Sequence, residues 1–217
     1  IQILCCNDHI SANLKGHGDL TGIYNDFNDK HHRYKQQTIH HTKSPLAKAC
    51  GLKPCQSHKT ILDTTAGWGE DSFELFHLGA NVCSIEQHPL LALMLAEQMV
   101  RHLDSTTRQN SWECIWQSHQ QFLAQTQQCW DVVYFDLMFT EHKSQAKTNK
   151  KMQFLQTIIN TEPLRQTTWK QAQSHGKRIV IKQPRNNRKA PLWCDFELPR
   201  PTFQVITKNN RFDVFQQ

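Results

Sequence analysis

One stretch of the chain, residues 60–73, constrains the fold more than any other. It reads Thr-Ile-Leu-Asp-Thr-Thr-Ala-Gly-Trp-Gly-Glu-Asp-Ser-Phe. A short β-branched and apolar run thus passes through Gly67 and Gly69 into a helix expected to begin near Asp71. In α/β folds such a turn holds a nucleotide-like ligand, because glycine lets the backbone approach closely and the helix end offers free N–H groups. The stretch therefore predicts a cofactor site.

From residue 59 onward, strand patterns alternate with helix patterns. We predict strands at residues 59–63, 81–85, 113–116, 131–135 and 178–182, and helices at about 70–78, 89–103, 119–127, 148–160 and 162–174. This alternation indicates a parallel, doubly wound sheet with helices on both faces. Two further strands, at 203–207 and 211–215, are joined by a short polar link and predict an antiparallel hairpin at one edge. The predicted fold is α/β, with a seven-stranded mixed sheet.

The first 58 residues are predicted to form a small N-terminal appendage to a main domain of residues 59–217. Residues 1–6 and 23–27 have the composition of short strands, with a glycine-containing loop between them. A helix is expected from an N-cap at Ser44, with proline at its first position, to a glycine stop at Gly51.

Charge is distributed unevenly along a chain of 217 residues with a formal net charge of +6. Residues 59–140, which include the glycine turn, hold 3 Lys/Arg and 10 Asp/Glu, a net −7. Residues 141–190 hold 12 and 2, a net +10. An acidic centre beside a basic segment suits a cationic or neutral cofactor together with a polyanionic partner such as nucleic acid. A solvated lysine face is the alternative interpretation of the basic segment.

Several classes of protein are disfavoured by the sequence. No apolar run approaches the ~18 residues of a membrane span, and the N-terminal residues do not resemble a signal peptide. We therefore expect a soluble, cytoplasmic protein with no membrane partner. The 8 cysteines include no paired C-x-x-C units, which favours reduced, buried thiols over disulfides or metal ligands. The 13 histidines lack a surrounding framework of Cys or carboxylate ligands, so no metal is predicted.

Polar residues that follow the predicted strands are the candidates for ligand binding, since open α/β sheets bind ligands at the carboxyl ends of their strands. Asp63 ends the first strand of the main domain, and Glu86 ends the second. A carboxylate at the second position can accept hydrogen bonds from both ribose hydroxyls of an adenosine, although by itself it is also an ordinary exposed strand end. Ser118 and His119 follow the third strand, where they would border the adenine.

The fourth strand ends in Asp136, and Phe139 follows three residues later. A transferase that acts on an amino group needs such a pair. The carboxylate or a backbone carbonyl accepts a hydrogen bond from the exocyclic N–H and orients the nitrogen lone pair at a methyl group, while the aromatic ring stacks on the base. The alternative is that Asp136 caps a buried strand and Phe139 belongs to the core. The glycine turn alone does not fix the cofactor, because Asp71 and Ser72 stand where a dinucleotide-binding G-x-G-x-x-G has its last glycine.

Several motifs occur together in one order. They are Pro45 to Leu52, Asp63 to Phe73, Leu78-Gly79, Ile85 to Pro89, Asp131 to Phe139, Lys143 to Lys147, Arg178 to Pro184 and Arg211 to Val214. From about residue 32 to Phe215, the chain resembles the ribosomal small-subunit methyltransferase J family. The resemblance implies a class I S-adenosylmethionine-dependent methyltransferase with a Rossmann-like fold. It further implies methylation of the N2 amine of a guanine in 16S ribosomal RNA, with that RNA or the small ribosomal subunit as partner.

The resemblance also implies two sets of site residues. The cofactor residues that it implies are Glu70, Asp71, Glu86, Gln87, Ser118, His119 and Asp136, and they join Asp63, Gly67 and Gly69 of the glycine turn in one cofactor set. The RNA-binding set would position phosphates, a task that is sequence-independent and salt-sensitive. Its members are Arg33, Tyr34, Lys35, Lys143, Lys147, Lys150, Lys151, Lys182, Arg185, Arg188 and Lys189.

The chain departs from the family pattern at three places. Leu137 and Thr140 replace both prolines of a motif similar to Asp-Pro-Met-Phe-Pro, residues 36–38 replace a glycine triplet, and Glu70 replaces an arginine. Because proline fixes φ, we expect the turn after Asp136 to be less rigid in this chain. Two alternatives stay open: a methyltransferase for another substrate class, and a non-catalytic RNA-binding protein of the same fold.

Overall fold

The computed structural model describes residues 1–6, 9–14, 16, 20–29, 43–53, 58–103, 109–137, 150–159, 163–185 and 194–217. Within these ranges the strands are β1 (Gln2–Cys5), β2 (Ile10–Asn13), β3 (Thr60–Asp63), β4 (Asn81–Glu86), β5 (Trp112–Trp116), β6 (Val132–Phe135), β7 (Arg178–Pro184), β8 (Phe203–Ile206) and β9 (Asn210–Gln216). The helices are α1 (Pro45–Cys50), α2 (Glu70–His77), α3 (Pro89–Leu103), α4 (His119–Gln125), α5 (Lys150–Ile158) and α6 (Gln166–His175).

Seven of these strands form one sheet in the order β5-β4-β3-β6-β7-β9-β8. The first five are parallel to one another, whereas β9 is antiparallel to both β7 and β8. The prediction of a seven-stranded mixed sheet with an antiparallel edge hairpin is confirmed. Since the five parallel strands all end at one edge, the polar residues that follow them gather there.

Successive residues of the sheet face two different apolar layers, as the two-residue period of a strand requires. On one face, Ile61 packs in a cluster with side chains of α1, α2 and α3. On the other, Leu62 packs with side chains of α4 and α6, among them Trp169. The prediction of helices on both faces is therefore confirmed.

The N-terminal segment differs from its prediction. The partner of β1 is β2, which pairs with it antiparallel, and not residues 23–27. Ile23 makes only an isolated bridge to Ala12. Two of the residues that suggested a strand, Ile23 and Phe27, are buried, and the Phe27 ring stacks on Phe73 of α2, with centroids 4.5 Å apart. The strand-like composition therefore belongs to a segment that packs mainly through its side chains.

The hairpin of β1 and β2 also packs onto the rest of the chain. Its residue Ala12 shares a buried apolar cluster with Trp68 of the glycine turn, Met94 of α3 and Phe154 of α5. Phe27 of the same N-terminal segment lies in the apolar cluster of Ile61, so part of the first 58 residues also packs on the sheet. A boundary at residue 58 stays a prediction.

The cysteines only partly match the expectation of burial. All seven in the described ranges are free thiols, and four of them are buried or half-buried: Cys50, Cys83, Cys114 and Cys194. The expectation is wrong for Cys5, Cys6 and Cys129, which are exposed. Cys5 belongs to β1, which is exposed along its length. No helix in the described ranges has the length and apolarity to cross a bilayer, and no cluster of His, Cys, Asp and Glu side chains there could hold a metal ion.

Candidate functional site

The glycine turn between β3 and α2 has two left-handed residues, Gly67 with φ 53° and Gly69 with φ 75°. A Cβ at Gly69 would lie 2.4 Å from Leu95 Cδ1, so this position needs glycine for packing as well as for conformation. Among the described residues, nothing but its chain neighbours lies within 4 Å of the place a Gly67 Cβ would take. The turn therefore offers an open backbone surface at Gly67.

Glu86, at the end of β4, is fixed against this turn. The Gly67 amide donates to Glu86 Oε2 at 2.7 Å, and the His88 amide donates to Oε1 at 2.7 Å. Burial raises the pKa of Glu86, and the backbone amides oppose that rise. Each carboxylate oxygen can accept more than one hydrogen bond, so the ribose role predicted for Glu86 is compatible with both contacts. That role stays a prediction.

Asp63 supports the turn from within. Its side chain is 1% exposed, and it accepts hydrogen bonds from Ser72 Oγ at 2.5 Å and the Thr65 amide at 3.1 Å. The hydroxyls of Ser72 and Ser84 lie 2.7 Å apart, and Trp112 Nε1 donates to Ser84 Oγ at 2.8 Å. Burial raises the pKa of Asp63 to about 7, against the Ser72 hydrogen bond. A chain of buried polar contacts thus joins β3, α2, β4 and β5 beneath the turn.

Asp136 lies in a cluster of charged and polar groups at the ends of β6 and β7. Its backbone amide donates to Thr65 Oγ1 at 2.7 Å, which ties the strand end to the glycine turn. Lys182 Nζ donates to Asp136 Oδ2 at 2.8 Å and to Asp71 Oδ2 at 2.7 Å. The Tyr134 hydroxyl also donates to Asp71 Oδ2, at 2.6 Å. One ammonium group therefore stands between two carboxylates.

The strand register explains why these side chains meet. Phe135 of β6 is paired with Ile181 of β7, so the next residues, Asp136 and Lys182, lie side by side. The two-residue period places Tyr134 on the same face as Asp136, toward α2.

The charged groups in this cluster shift one another's pKa values. Burial raises the pKa of Asp136 to about 6, although the Lys182 ammonium lowers it. For Lys182, burial favours the neutral amine, but the carboxylates of Asp71 and Asp136 outweigh it and raise the pKa well above its ordinary value. Burial and the Asp71 charge raise the pKa of Tyr134, which stays a neutral donor. At neutral pH Lys182 is an ammonium ion.

Lys182, assigned to the RNA-binding set, has its ammonium held between two carboxylates. Its RNA-binding role stays a prediction. Lys151 is also engaged: its Nζ donates to Asn25 Oδ1 at 2.9 Å and lies 5.8 Å from the centre of the Trp68 ring. Lys150 and Arg185 are exposed. The remaining predicted contacts, together with Phe139 and Thr140, lie outside the described residues: Arg33, Tyr34, Lys35, Lys143, Lys147, Arg188 and Lys189.

The residues predicted to border an adenine lie at the start of α4. Ser118 is the N-cap, and its hydroxyl accepts a hydrogen bond from the Gln121 amide at 3.3 Å. His119 is buried, and burial lowers its pKa to about 4, so its imidazole is neutral. Its Nε2 has no hydrogen-bond partner within the described part of the chain. A bound ligand or a water molecule can satisfy such a buried nitrogen.

An open groove of about 370 Å³ lies between α4 and α6. It brings together two residues of the predicted cofactor set, Gln87 and Ser118, with polar side chains of both helices. Its lining comprises Gln87, Ser118, Gln120, Ala124, Arg165, Thr167, Thr168 and Gln171. Glu70 and Gln87 are themselves exposed.

Sequence reasoning missed several members of the site. The side chains of Tyr134 and Thr65 were not predicted to take part, and Lys182 was given a different role. Their signals were present in the sequence: a tyrosine two residues before Asp136, and a single lysine in the apolar run of β7. The contact from Asn25 Nδ2 to the Trp68 carbonyl, 2.7 Å long, had no such signal because it joins segments far apart in sequence.

The chain matches known proteins over its whole length. A family model described as "Putative SAM-dependent methyltransferase" matches residues 1–217. A Legionella pneumophila protein named ribosomal RNA small subunit methyltransferase J is 35% identical over 176 residues, which are 80% of this chain and 68% of that protein. A Proteus mirabilis protein of the same name is 29% identical over 95% of this chain and 83% of its own length. The crystal structure of a SAM-dependent methyltransferase from Neisseria gonorrhoeae, 25% identical, has a TM-score of 0.69 and covers 99% of this chain and 81% of that chain.

Proposed function

Because the chain belongs to the SAM-dependent methyltransferase family that includes the ribosomal RNA small subunit methyltransferase J proteins, we propose that it methylates the N2 amine of a guanine in 16S ribosomal RNA. It is an enzyme of class I methyltransferase fold that uses S-adenosylmethionine. We propose that its partner is 16S RNA or the small subunit, and that it acts in the cytoplasm.

One observation carries the proposal. The Asp136 amide donates to Thr65 Oγ1 at 2.7 Å, so the carboxylate that would orient the amine and the turn that would hold the cofactor form one unit. Methyl transfer requires the nucleophile and the methyl group to be aligned, and alignment by fixed groups supplies much of the rate enhancement in such reactions. A direct bond between the two parts of the site maintains that alignment.

The residues present fit an adenosine-bearing cofactor. Gly67 leaves an open approach to the turn, Glu86 is fixed at the strand end where ribose hydroxyls bind, and His119 has an unsatisfied buried nitrogen. When bound, S-adenosylmethionine supplies an electrophilic methyl group on a sulfonium centre. The carboxylates around the turn favour such a cation.

Asp136 would orient the target amine. As a carboxylate it accepts a hydrogen bond from the exocyclic N–H and leaves the nitrogen lone pair directed away from itself. A guanine amine is barely basic, so its proton leaves during or after transfer and strong base catalysis is not needed. With a pKa of about 6, Asp136 is a suitable acceptor for that proton near neutral pH. The stacking role proposed for Phe139 falls outside the described residues.

The basic segment would hold the RNA backbone. Lys150, which begins α5, and Arg185, which follows β7, are both exposed. Phosphate contacts of this kind position the RNA without reading its sequence. The target guanine would have to be unpaired or flipped out to reach Asp136.

The test is transfer of a labelled methyl group from S-adenosylmethionine to small ribosomal subunits and 16S RNA that lack the modification. We expect incorporation at a guanine N2, located by mass spectrometry of the nucleosides. Asp136→Ala should abolish transfer while RNA affinity changes less than about tenfold. Asp131→Ala, at the other end of β6, is the matched control and should keep activity in the folded protein.

The alternative functions give different outcomes. Binding of S-adenosylhomocysteine without any transfer would indicate a non-catalytic RNA-binding protein. Transfer to a protein or a small molecule, but not to RNA, would indicate another substrate class.

A further inference from the structure

We propose that Lys182 is a positioning residue for methyl transfer. Its ammonium group joins Asp71, on the side of the glycine turn, to Asp136, on the side of the target amine, and keeps both carboxylates ionised. This inference rests on the proposed function for the role of Asp136. Independently of that role, Lys182 sets the ionisation and position of the two carboxylates.

The geometry supports a shared ion pair. Lys182 Nζ is 2.7 Å from Asp71 Oδ2 and 2.8 Å from Asp136 Oδ2, so two of its three N–H donors serve the two carboxylates. The Lys182 side chain is 20% exposed. Ion pairs in such surroundings are screened less by water and salt than pairs on the surface. The two carboxylates are therefore coupled through one cation.

A second pair on the same two strands shows what an ordinary surface ion pair looks like. Lys177, just before β7, lies 2.8 Å from Asp131, just before β6. Its side chain is 78% exposed, and it contacts one carboxylate only. The difference lies in the cation, because Asp136 is 37% exposed and Asp131 27%, whereas the Lys182 side chain is far less exposed than that of Lys177.

Enclosure of this kind is poor evidence for a stabilising role. Removing charged groups from water costs free energy that their attraction often only offsets, and apolar replacements of buried ion pairs are frequently neutral or stabilising. A function in the site accounts better for a cation enclosed between two acids at the sheet edge.

Several titratable groups face Asp136. Lys182 comes from β7, Asp71 from α2, Tyr134 from β6 and Asp63 from β3. Without the ammonium, Asp71 and Asp136 would be neighbouring carboxylates, and one would take up a proton because like charges disfavour joint ionisation. A protonated Asp136 loses acceptor capacity for the target amine. Lys182 therefore keeps Asp136 an acceptor at working pH.

The experiment compares Lys182→Met, Lys182→Arg and the matched control Lys177→Met. We expect Lys182→Met to lower kcat about 100-fold near neutral pH while KM for RNA changes little, because the loss is in alignment and proton acceptance. The acidic limb of its pH–rate profile should move to higher pH. Lys182→Arg keeps the charge. It should therefore restore part of the activity and return the acidic limb toward its wild-type pH. Lys177→Met should behave as the wild type.

A second readout needs no RNA. Titration of the aspartate carboxyl carbons by NMR, with the Asp136 signal assigned through Asp136→Asn, should place the Asp136 midpoint at least about one pH unit higher in Lys182→Met than in the wild type. Calorimetric binding of S-adenosylhomocysteine identifies variants whose cofactor site is intact. The wild type could fail to methylate RNA while the Asp136 midpoint still rises in Lys182→Met. In that case the proposed function fails, and the role of Lys182 in keeping the carboxylates ionised stands.

Three results would overturn the inference. One is an unchanged Asp136 midpoint in folded Lys182→Met, and another is an equal loss of activity in the Met and Arg variants without a shift in the pH–rate profile. If Lys182→Met does not fold, Asp71→Asn replaces it: removal of the neighbouring carboxylate should lower the Asp136 midpoint. The third result that would overturn the inference is an Asp136 midpoint that does not move in Asp71→Asn.

Discussion

Asn25 and Trp68, which are 43 residues apart in the sequence, are joined by a hydrogen bond of 2.7 Å from the Asn25 side-chain amide to the Trp68 carbonyl. Trp68 stands between the two glycines of the turn. Lys151 of α5 closes the arrangement, with Nζ 2.9 Å from Asn25 Oδ1 and 5.8 Å from the centre of the Trp68 ring. Two segments outside the sheet therefore brace the glycine turn.

This brace predicts that Asn25→Ala weakens cofactor binding. The change removes both contacts of a buried amide, which we expect to cost about 1–3 kcal/mol and to loosen the turn. S-adenosylhomocysteine affinity, measured by calorimetry, should fall several-fold. Asn13→Ala is the control, because Asn13 Oδ1 accepts an exposed hydrogen bond from the Gly22 amide in the same segment. Equal affinity in the two variants would contradict a bracing role.

The two glycines of the turn should respond differently to alanine. Both have positive φ, so each substitution introduces backbone strain of about 1–2 kcal/mol. Gly69→Ala also forces a Cβ to within 2.4 Å of Leu95 Cδ1, for which overpacking adds about 1–3 kcal/mol. Urea unfolding should therefore rank Gly69→Ala below Gly67→Ala in stability. If the two variants are equally stable, Leu95 moves aside without cost.

The buried carboxyl of Asp63 predicts a dependence of stability on pH. Its pKa is raised to about 7 from an ordinary 3.8, so folding favours the protonated form. The stabilisation is fully present below pH 3.8 and is lost as pH rises through about 7. Relative to Asp63→Asn, the wild type should lose on the order of 4 kcal/mol of unfolding free energy across that range. Urea titrations at about pH 5 and about pH 8 capture about 3 kcal/mol of this loss, because part of it occurs below pH 5, and parallel behaviour of the two proteins would refute the shift.

Exposed cations of the basic segment should control RNA affinity. Charge reversal of both Lys150 and Arg185 to glutamate should weaken binding to 16S RNA and flatten its dependence on salt, because fewer counterions are released. Lys177→Glu removes an exposed cation at the other end of β7 and should leave both unchanged. Filter binding over a salt series distinguishes these outcomes. Identical slopes for the wild type and the double variant would place the RNA elsewhere.

The fold could be predicted from the sequence largely because the main domain relies on local patterns. Its signals depend only on residues that are close together in sequence: the two-residue period of strands, the 3.6-residue period of helices, and the glycine or proline at their ends. The N-terminal segment shows the limit of that reasoning. Residues 23–27 have the composition of a strand, yet Phe27 packs on Phe73, which belongs to a helix far along the chain.

The site was predictable to the extent that it depends on strand ends. Glu86, Asp63 and Asp136 lie at the edge where the topology placed them. The bonds among side chains were not predictable in the same way. Lys182 was grouped with surface cations by its place in a basic segment, but the register of β6 and β7 turns it toward Asp136. Register is a property of two strands together, so neither sequence alone reveals it.

The position of β9 has a consequence for how the enzyme is made. Residues 210–216 lie between β7 and β8, and they supply the outer neighbour of the strand that carries Lys182. During synthesis β7 therefore emerges from the ribosome with an unpaired edge, which stays open until the residues of β9 follow. Unpaired edges of this kind attract other strands. The strand that carries Lys182 is therefore exposed to pairing with other strands until residues 210–216 are available to β7.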